Sequence, residues 1–141
     1  MIVLDTNVVS EPLKPRPDIA VMAWLDAQEP QTLYLSSITL AEILTGIETM
    51  PVGSRRTQLK SALDGDILPL FEGRLLQFDK RAAQAFALIQ ARVKSAGIAI
   101  SFADCAIASI AQVNGYAVAT RNVRDYQNTG VKLLNPWIDG L

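Results

Sequence analysis

The chain has 141 residues, half of them hydrophobic and 19% charged, a balance that fits one compact domain with a buried core and excludes a disordered tail. Its net charge is −1, from 13 basic and 14 acidic residues, which excludes a protein that coats nucleic acid by bulk electrostatics but not an enzyme that touches a few phosphates. With no histidine and one cysteine, Cys105, the chain is denied histidine triads, zinc sites, an intramolecular disulfide and cysteine-rich metal sites. Taken in order, Ile2–Asp5 reads as a first strand ending in a polar turn at Thr6-Asn7. Pro12, Pro15 and Pro17 mark an extended loop, because proline lacks the amide hydrogen and restricts its predecessor. Asp18 to Glu29 places Ile19, Met22, Ala23 and Trp24 at helical spacing, and Leu33–Ser36 is a short strand. Thr39–Thr49 is predicted helical, with Leu40, Ile43, Leu44 and Ile47 in one stripe and Pro51 and Gly53 ending it.

A polar helix is predicted over Arg55–Leu63 and a short strand over Leu75–Phe78. Asp79 then caps a long helix to about Ala96, closed by Gly97. Ser101–Val113 is a helix of small and apolar residues closed by Gly115, followed by strands at Tyr116–Thr120 and Lys132–Leu134. Strands alternating with helices imply an α/β fold with a mostly parallel central sheet, right-handed crossovers and helices on both faces. The helical hairpin between Thr39 and Leu68 reads as an excursion from that core, and residues 1–141 as a single domain. No apolar stretch approaches a membrane span and no basic region precedes Ile2, so a cytoplasmic protein is expected.

Asp5, Glu42, Asp104 and Asn122 follow or lie near the short apolar runs Ile2–Leu4, Leu33–Leu35, Ile98–Ile100 and Ala117–Ala119. In a strand–helix alternation such junctions gather at one sheet edge, the usual ligand position. Three carboxylates there repel one another unless protons or a cation intervene, and a hard divalent ion such as Mg²⁺ takes oxygen ligands. Each acid also has an ordinary explanation. Thr39-Leu40-Ala41-Glu42 and Ser101-Phe102-Ala103-Asp104 have capping-box spacing, Asn122-Val123-Arg124-Asp125 is similar, and Asp5 suits a turn or N-cap. The balance tilts at Asp104, which lies among Phe102, Ala103, Cys105, Ala106, Ile107 and Ala108, with no lysine or arginine between Lys94 and Arg121. An ionised carboxylate on a helix apolar on nearly every side is costly without a partner, and a metal supplies one. The chemistry that follows is activation of a water for in-line attack on a phosphodiester, with Arg121 or Arg124 as candidate phosphate contacts. Cys105, inside an apolar stretch, reads as a buried, inert thiol.

At these residues the chain resembles the PIN-domain ribonucleases, especially toxins of the VapC and FitB type from bacterial toxin–antitoxin pairs. The matching segments are Met1-Ile2-Val3-Leu4-Asp5-Thr6-Asn7, Ser36-Ser37-Ile38-Thr39-Leu40-Ala41-Glu42, Ala103-Asp104-Cys105-Ala106-Ile107-Ala108 and Ala119-Thr120-Arg121-Asn122, and the likeness runs on to Asn135-Pro136-Trp137. The resemblance implies a three-layer PIN-like fold, an endoribonuclease dependent on Mg²⁺ or Mn²⁺, a homodimer and inhibition by a small antitoxin protein. It implies RNA as substrate and no direct specific DNA binding. Asp5, Glu42 and Asp104 fall on the family's acidic, metal-binding positions, and Asn7 and Thr120 on the polar residues that hold them. Asn122 stands where many members carry a fourth acid, which puts a second metal in doubt; Asp125 is an offset substitute. The competing readings are a catalytically weak module that binds a partner protein or RNA, and a phosphotransferase using Asp5. Against the phosphotransferase stand Asn7, where a second aspartate is expected, and the lack of a glycine-rich phosphate loop.

Overall fold

The computed structural model describes residues 1–139, so the last two residues of the expected domain lie outside the described residues. Five short strands form one sheet: β1 (Ile2–Leu4), β2 (Leu33–Ser36), β3 (Leu75–Leu76), β4 (Ala117–Ala119) and β5 (Leu133–Leu134). Their spatial order is β3-β2-β1-β4-β5, and every pairing is parallel, with Val3 opposite Tyr34 on one side and Val118 on the other. Parallel neighbours need crossovers. The described helices that supply them are α1 (Thr6–Ser10), α2 (Ile19–Asp26), α3 (Ser37–Glu48), α4 (Ser54–Ala62), α5 (Lys80–Ser95), α6 (Phe102–Asn114) and α7 (Val123–Tyr126).

Because successive strand side chains point to opposite faces, the sheet divides the core in two. Leu4, Leu33, Leu35 and Ala119 face one layer with Val8 and Val9 of α1, Trp24 of α2, and Ile43 and Ile47 of α3. Val3 and Val118 face the other with Ile89 and Val93 of α5, Cys105, Ile107, Ala108 and Ala111 of α6, and Tyr126 of α7. The result is the three-layer α/β arrangement expected. Cys105 is buried, and burial pushes its thiol pKa up, which suits an inert core residue.

Several local expectations need correcting. Thr6-Asn7 is not a turn but the start of α1: the Asp5 carboxylate accepts from the Thr6 amide and caps a helix directly behind the strand. Helix α3 begins two residues before Thr39, because Ser36 Oγ accepts from the Thr39 amide at 3.0 Å. Thr39 and Glu42 therefore form no capping box, and Glu42 sits in the second turn. In α2 the buried side is Val21 and Trp24, whereas Ile19 is 87% exposed; Asp18 caps the helix and fixes a different face inward. The strand at Leu75 stops at Leu76, since Asp79 already caps α5. Ile98–Ile100 forms no strand: Gly97 (φ +73°) closes α5, the Ile98 amide donates back to Val93 O at 3.1 Å, and Ser101 caps α6 at once. Gly115, in the left-handed region at φ +70°, ends α6 as expected.

Candidate active site

The strand order reverses at β1: the chain builds outward to β2 and β3 on one side, then returns to place β4 and β5 on the other. The carboxyl ends of β1 and β4 flank that switch point, where open parallel sheets bind ligands. Asp5 and Thr120 are the residues that follow those two strands. The Asp5 amide extends the ladder to Ala119 O at 2.9 Å, which fixes its backbone. Its side chain is held at both oxygens, Oδ1 accepting from the Thr6 amide at 2.8 Å and Oδ2 from Thr120 Oγ1 at 2.7 Å. Thr120 is itself fully buried, and its hydroxyl accepts from the Asn122 amide at 3.0 Å. Asp5 is only 4% exposed, and burial raises its pKa against the pull of these hydrogen bonds; the nearby Asp104 charge adds to the rise.

Asp104 enters from the first turn of α6, whose N-cap Ser101 accepts from the Asp104 amide at 3.1 Å. The following residues Cys105–Ala111 are buried, and this anchors the helix while Asp104 stays half-buried at its start. Burial raises the Asp104 pKa, opposed by the Ser101 hydroxyl, and the charges of Asp125 and then Glu42 raise it further. Asp5, Asp104 and Asp125 thus share one electrostatic neighbourhood, with Glu42 at its edge. Among the described residues the salt bridges are Lys14–Glu11, Arg56–Glu48 and Lys60–Asp64, none of which neutralises these acids.

Glu42 is exposed on α3 and accepts from Thr6 Oγ1 at 2.5 Å; the same hydroxyl lies 3.3 Å from Thr39 Oγ1. Thr6 therefore links Glu42 to the residue beside Asp5. Among the described residues no group of three acids forms a ready-made cation cage, and Glu42 acts on Asp104 through its charge while hydrogen-bonding Thr6. Glu42 lies one turn inside α3, where Thr6 holds its carboxylate.

Asn7 Oδ1 accepts from the Arg121 amide at 3.3 Å, so Asn7 ties the end of β1 to the segment after β4. Asn122 is exposed and contributes backbone groups: its side chain makes no capping bond to α7. The Arg121 guanidinium lies over the Trp137 ring, 5.2 Å from its centroid, and Arg124 is exposed on α7. Sequence reasoning missed Thr6 and Tyr126 and gave Asp125 only as an offset substitute. An aromatic one helical turn after Asn122 was the available signal for Tyr126. An apolar groove of about 360 Å³, lined by Val8, Met22, Leu25 and Phe71 among others, contains none of these acids.

The donor set suits Mg²⁺ or Mn²⁺ despite the absent cage. Mg²⁺ commonly takes one or two protein carboxylates and fills its remaining positions with water and phosphate oxygens. Asp5 and Asp104, oxygen donors with raised pKa and no basic partner, meet that requirement.

These shifts fix a pH dependence. In the folded protein Asp5 and Asp104 hold protons above the ordinary value of 3.8, so the folded state binds more protons than the unfolded one from there up to the raised values. Their contribution is most favourable at low pH and diminishes as pH rises through that window. Glu11, lowered chiefly by the Lys14 hydrogen bond, works in the opposite sense and is lost as pH falls. The difference between wild type and Asp5→Asn isolates the site: thermal unfolding of the metal-free proteins should show a flatter pH slope in the variant. Identical slopes would contradict the burial of a strained charge at Asp5.

Known proteins share this sequence and fold over nearly the whole chain. The family profile of the PIN domain matches residues 2–131. The chain is 47% identical over 137 residues to "VapC ribonuclease Y4jK" of Sinorhizobium fredii, covering 97% of this chain and 98% of that one. It is 42% identical over 139 residues to "Toxin FitB" of Neisseria gonorrhoeae, covering 99% and 100%. The crystal structure of FitAcB from Neisseria gonorrhoeae superposes with a TM-score of 0.94 at 42% identity, covering 98% of this chain and 99% of that one. On the family profile, these two relatives and the shared three-layer fold, the chain belongs to the PIN-domain family.

Proposed function

We propose that this chain is a metal-dependent endoribonuclease that acts as the toxin of a toxin–antitoxin pair. The observation that carries the reading is the gathering of Asp5 and Asp104 at the sheet's switch point, both raised in pKa by burial, with no basic side chain paired to either among the described residues. The relatives named VapC ribonuclease and toxin FitB support RNA as the substrate class and a toxin's role.

In this reading Asp5 and Asp104 hold Mg²⁺ or Mn²⁺. The ion, when bound, activates a water and offsets charge on the phosphoryl oxygens. Thr120 and the Thr6 amide keep Asp5 in one rotamer, so its oxygens are oriented before substrate arrives. Glu42, held by Thr6 at the rim, accepts a proton from an approaching water, and Asp125 supplies the negative charge that Asn122 lacks. Asn122 offers a carbonyl oxygen at the same rim. Arg124, and Arg121 stacked on Trp137, are the phosphate contacts, with a guanidinium fork matched to phosphate oxygens. The chain works as a homodimer in the cytoplasm and is silenced by a small antitoxin protein.

Induced alone in a bacterial host, the chain should arrest growth and fragment cellular RNA, and Asp104→Asn should relieve both. The purified chain should cut RNA with Mn²⁺ and stop when the metal is chelated. The uncharged Asn122 favours one other reading, a catalytically weak module. Absence of cleavage and of Mn²⁺ binding at millimolar metal, alongside tight binding of a partner protein or RNA, would establish that module instead.

A further inference from the structure

Tyr126 ends α7, and its ring is locked in the core layer beneath α6, in the cluster that holds Val3, Cys105, Ile107 and Val118. Its carbonyl accepts from Thr129 Oγ1 at 2.6 Å and from the Thr129 amide at 3.2 Å, which fixes the backbone behind the ring. The side chain is 1% exposed, and its hydroxyl is buried with no partner in hydrogen-bond geometry among the described residues. A buried phenol normally finds an acceptor, and one left without costs stability. The groups this hydroxyl faces are Asp5 and Asp104, and a phenol, protonated at neutral pH, meets them as a donor.

Asp5 already has a donor on each oxygen, whereas Asp104 has, apart from Tyr126, only the Ser101 hydroxyl from its own helix start. Tyr126 is thus the donor that faces Asp104 from across the site, and its buried hydroxyl has no acceptor in hydrogen-bond geometry among the described residues. We propose that Tyr126 is a positioning residue: its hydroxyl, set in the core between Asp5 and Asp104, supplies the shared hydrogen bond that fixes the orientation of the two carboxylates for cation binding. Outer donors of this kind hold ligand rotamers and tune affinity without touching the ion. The placement follows from α7, which packs on α6 and carries Asp125 to the same neighbourhood one residue earlier. This proposal rests on the metal-dependent reading above.

Tyr126→Phe keeps the ring and its packing and deletes only the hydroxyl. The full-length variant, measured without metal, is expected to retain the wild-type unfolding temperature or exceed it, because the hydroxyl has no partner in hydrogen-bond geometry before the cation draws the carboxylates together. Its affinity for Mn²⁺, measured by calorimetry without RNA, is expected to fall about tenfold or more. RNA cleavage should fall with it at low Mn²⁺ and recover largely at saturating Mn²⁺. The double variant Tyr126→Phe/Asp104→Asn should bind Mn²⁺ no more weakly than Asp104→Asn alone. A Tyr126→Phe protein that binds Mn²⁺ within twofold of wild type, or more tightly, overturns the positioning role while leaving the nuclease reading intact. A wild-type protein that neither binds Mn²⁺ nor cuts RNA overturns both. If Tyr126→Phe unfolds at a markedly lower temperature, the hydroxyl is a structural element of the core and the proposal is wrong.

Discussion

Replacing Asp104 by Asn should reduce RNA cleavage by about 100-fold or more while leaving the protein folded, and Asp5→Asn should do the same. The two substitutions remove charge without removing volume. Asp104 is the cleaner case, since the backbone amide of residue 104 still donates to Ser101 and an Asn keeps a carbonyl oxygen to accept from the Ser101 hydroxyl. At Asp5 the change also touches structure: an Asn side chain has one acceptor oxygen, yet both the Thr6 amide and Thr120 Oγ1 donate there. Asp5→Asn should therefore lose one of these bonds and shift the unfolding temperature modestly as well as the activity. Circular dichroism and thermal unfolding establish the fold, and cleavage of a fluorescent RNA under Mn²⁺ gives the rate. Undiminished cleavage by both folded variants would remove Asp5 and Asp104 from the chemistry.

Ile107→Ala should cost about 3 kcal/mol of stability, or roughly 10 °C in unfolding temperature for a chain of this size. Ile107 is fully buried in the layer that packs α6 against Val3, Val118 and α5. Deleting its outer carbons leaves a cavity under the helix that carries Asp104 one turn earlier, so transfer energy and dispersion contacts are lost together. Because residues three apart share a helix face, the looser helix should also weaken Mn²⁺ binding. A change in unfolding free energy below about 1 kcal/mol would mean that the site collapses to fill the space and that α6 is held mainly by other contacts.

Much of this molecule is written locally in its residues. Asp79, Ser101 and Asp18 each cap a helix, and Gly97 and Gly115 each end one in the left-handed conformation, because these are contests between a side chain and the nearest free amides or carbonyls. The alternation of Ile2-Val3-Leu4 and Ala117-Val118-Ala119 likewise fixes short strands with two buried faces. From those elements follow the parallel sheet and the strand ends at Asp5 and Thr120. Misreadings arose where two local signals competed. Ser36 and Thr39 both suit a cap, and only the path of β2 into α3 gives the role to Ser36, leaving Glu42 a turn too far along to cap.

The sequence on its own determined the α/β class, the family resemblance and the identity of the acids near the sheet edge, since these depend on composition, periodicity and short motifs. Only the tertiary structure decided which acids face one another. It set Asp5 and Asp104 within electrostatic reach, gave Glu42 to Thr6, brought in Asp125 and turned the Tyr126 hydroxyl toward the carboxylates. The physical reason is that a charge's energy depends on its distance from other charges and from water, and residues 5, 42, 104 and 126 acquire those distances only when the sheet and its helices pack.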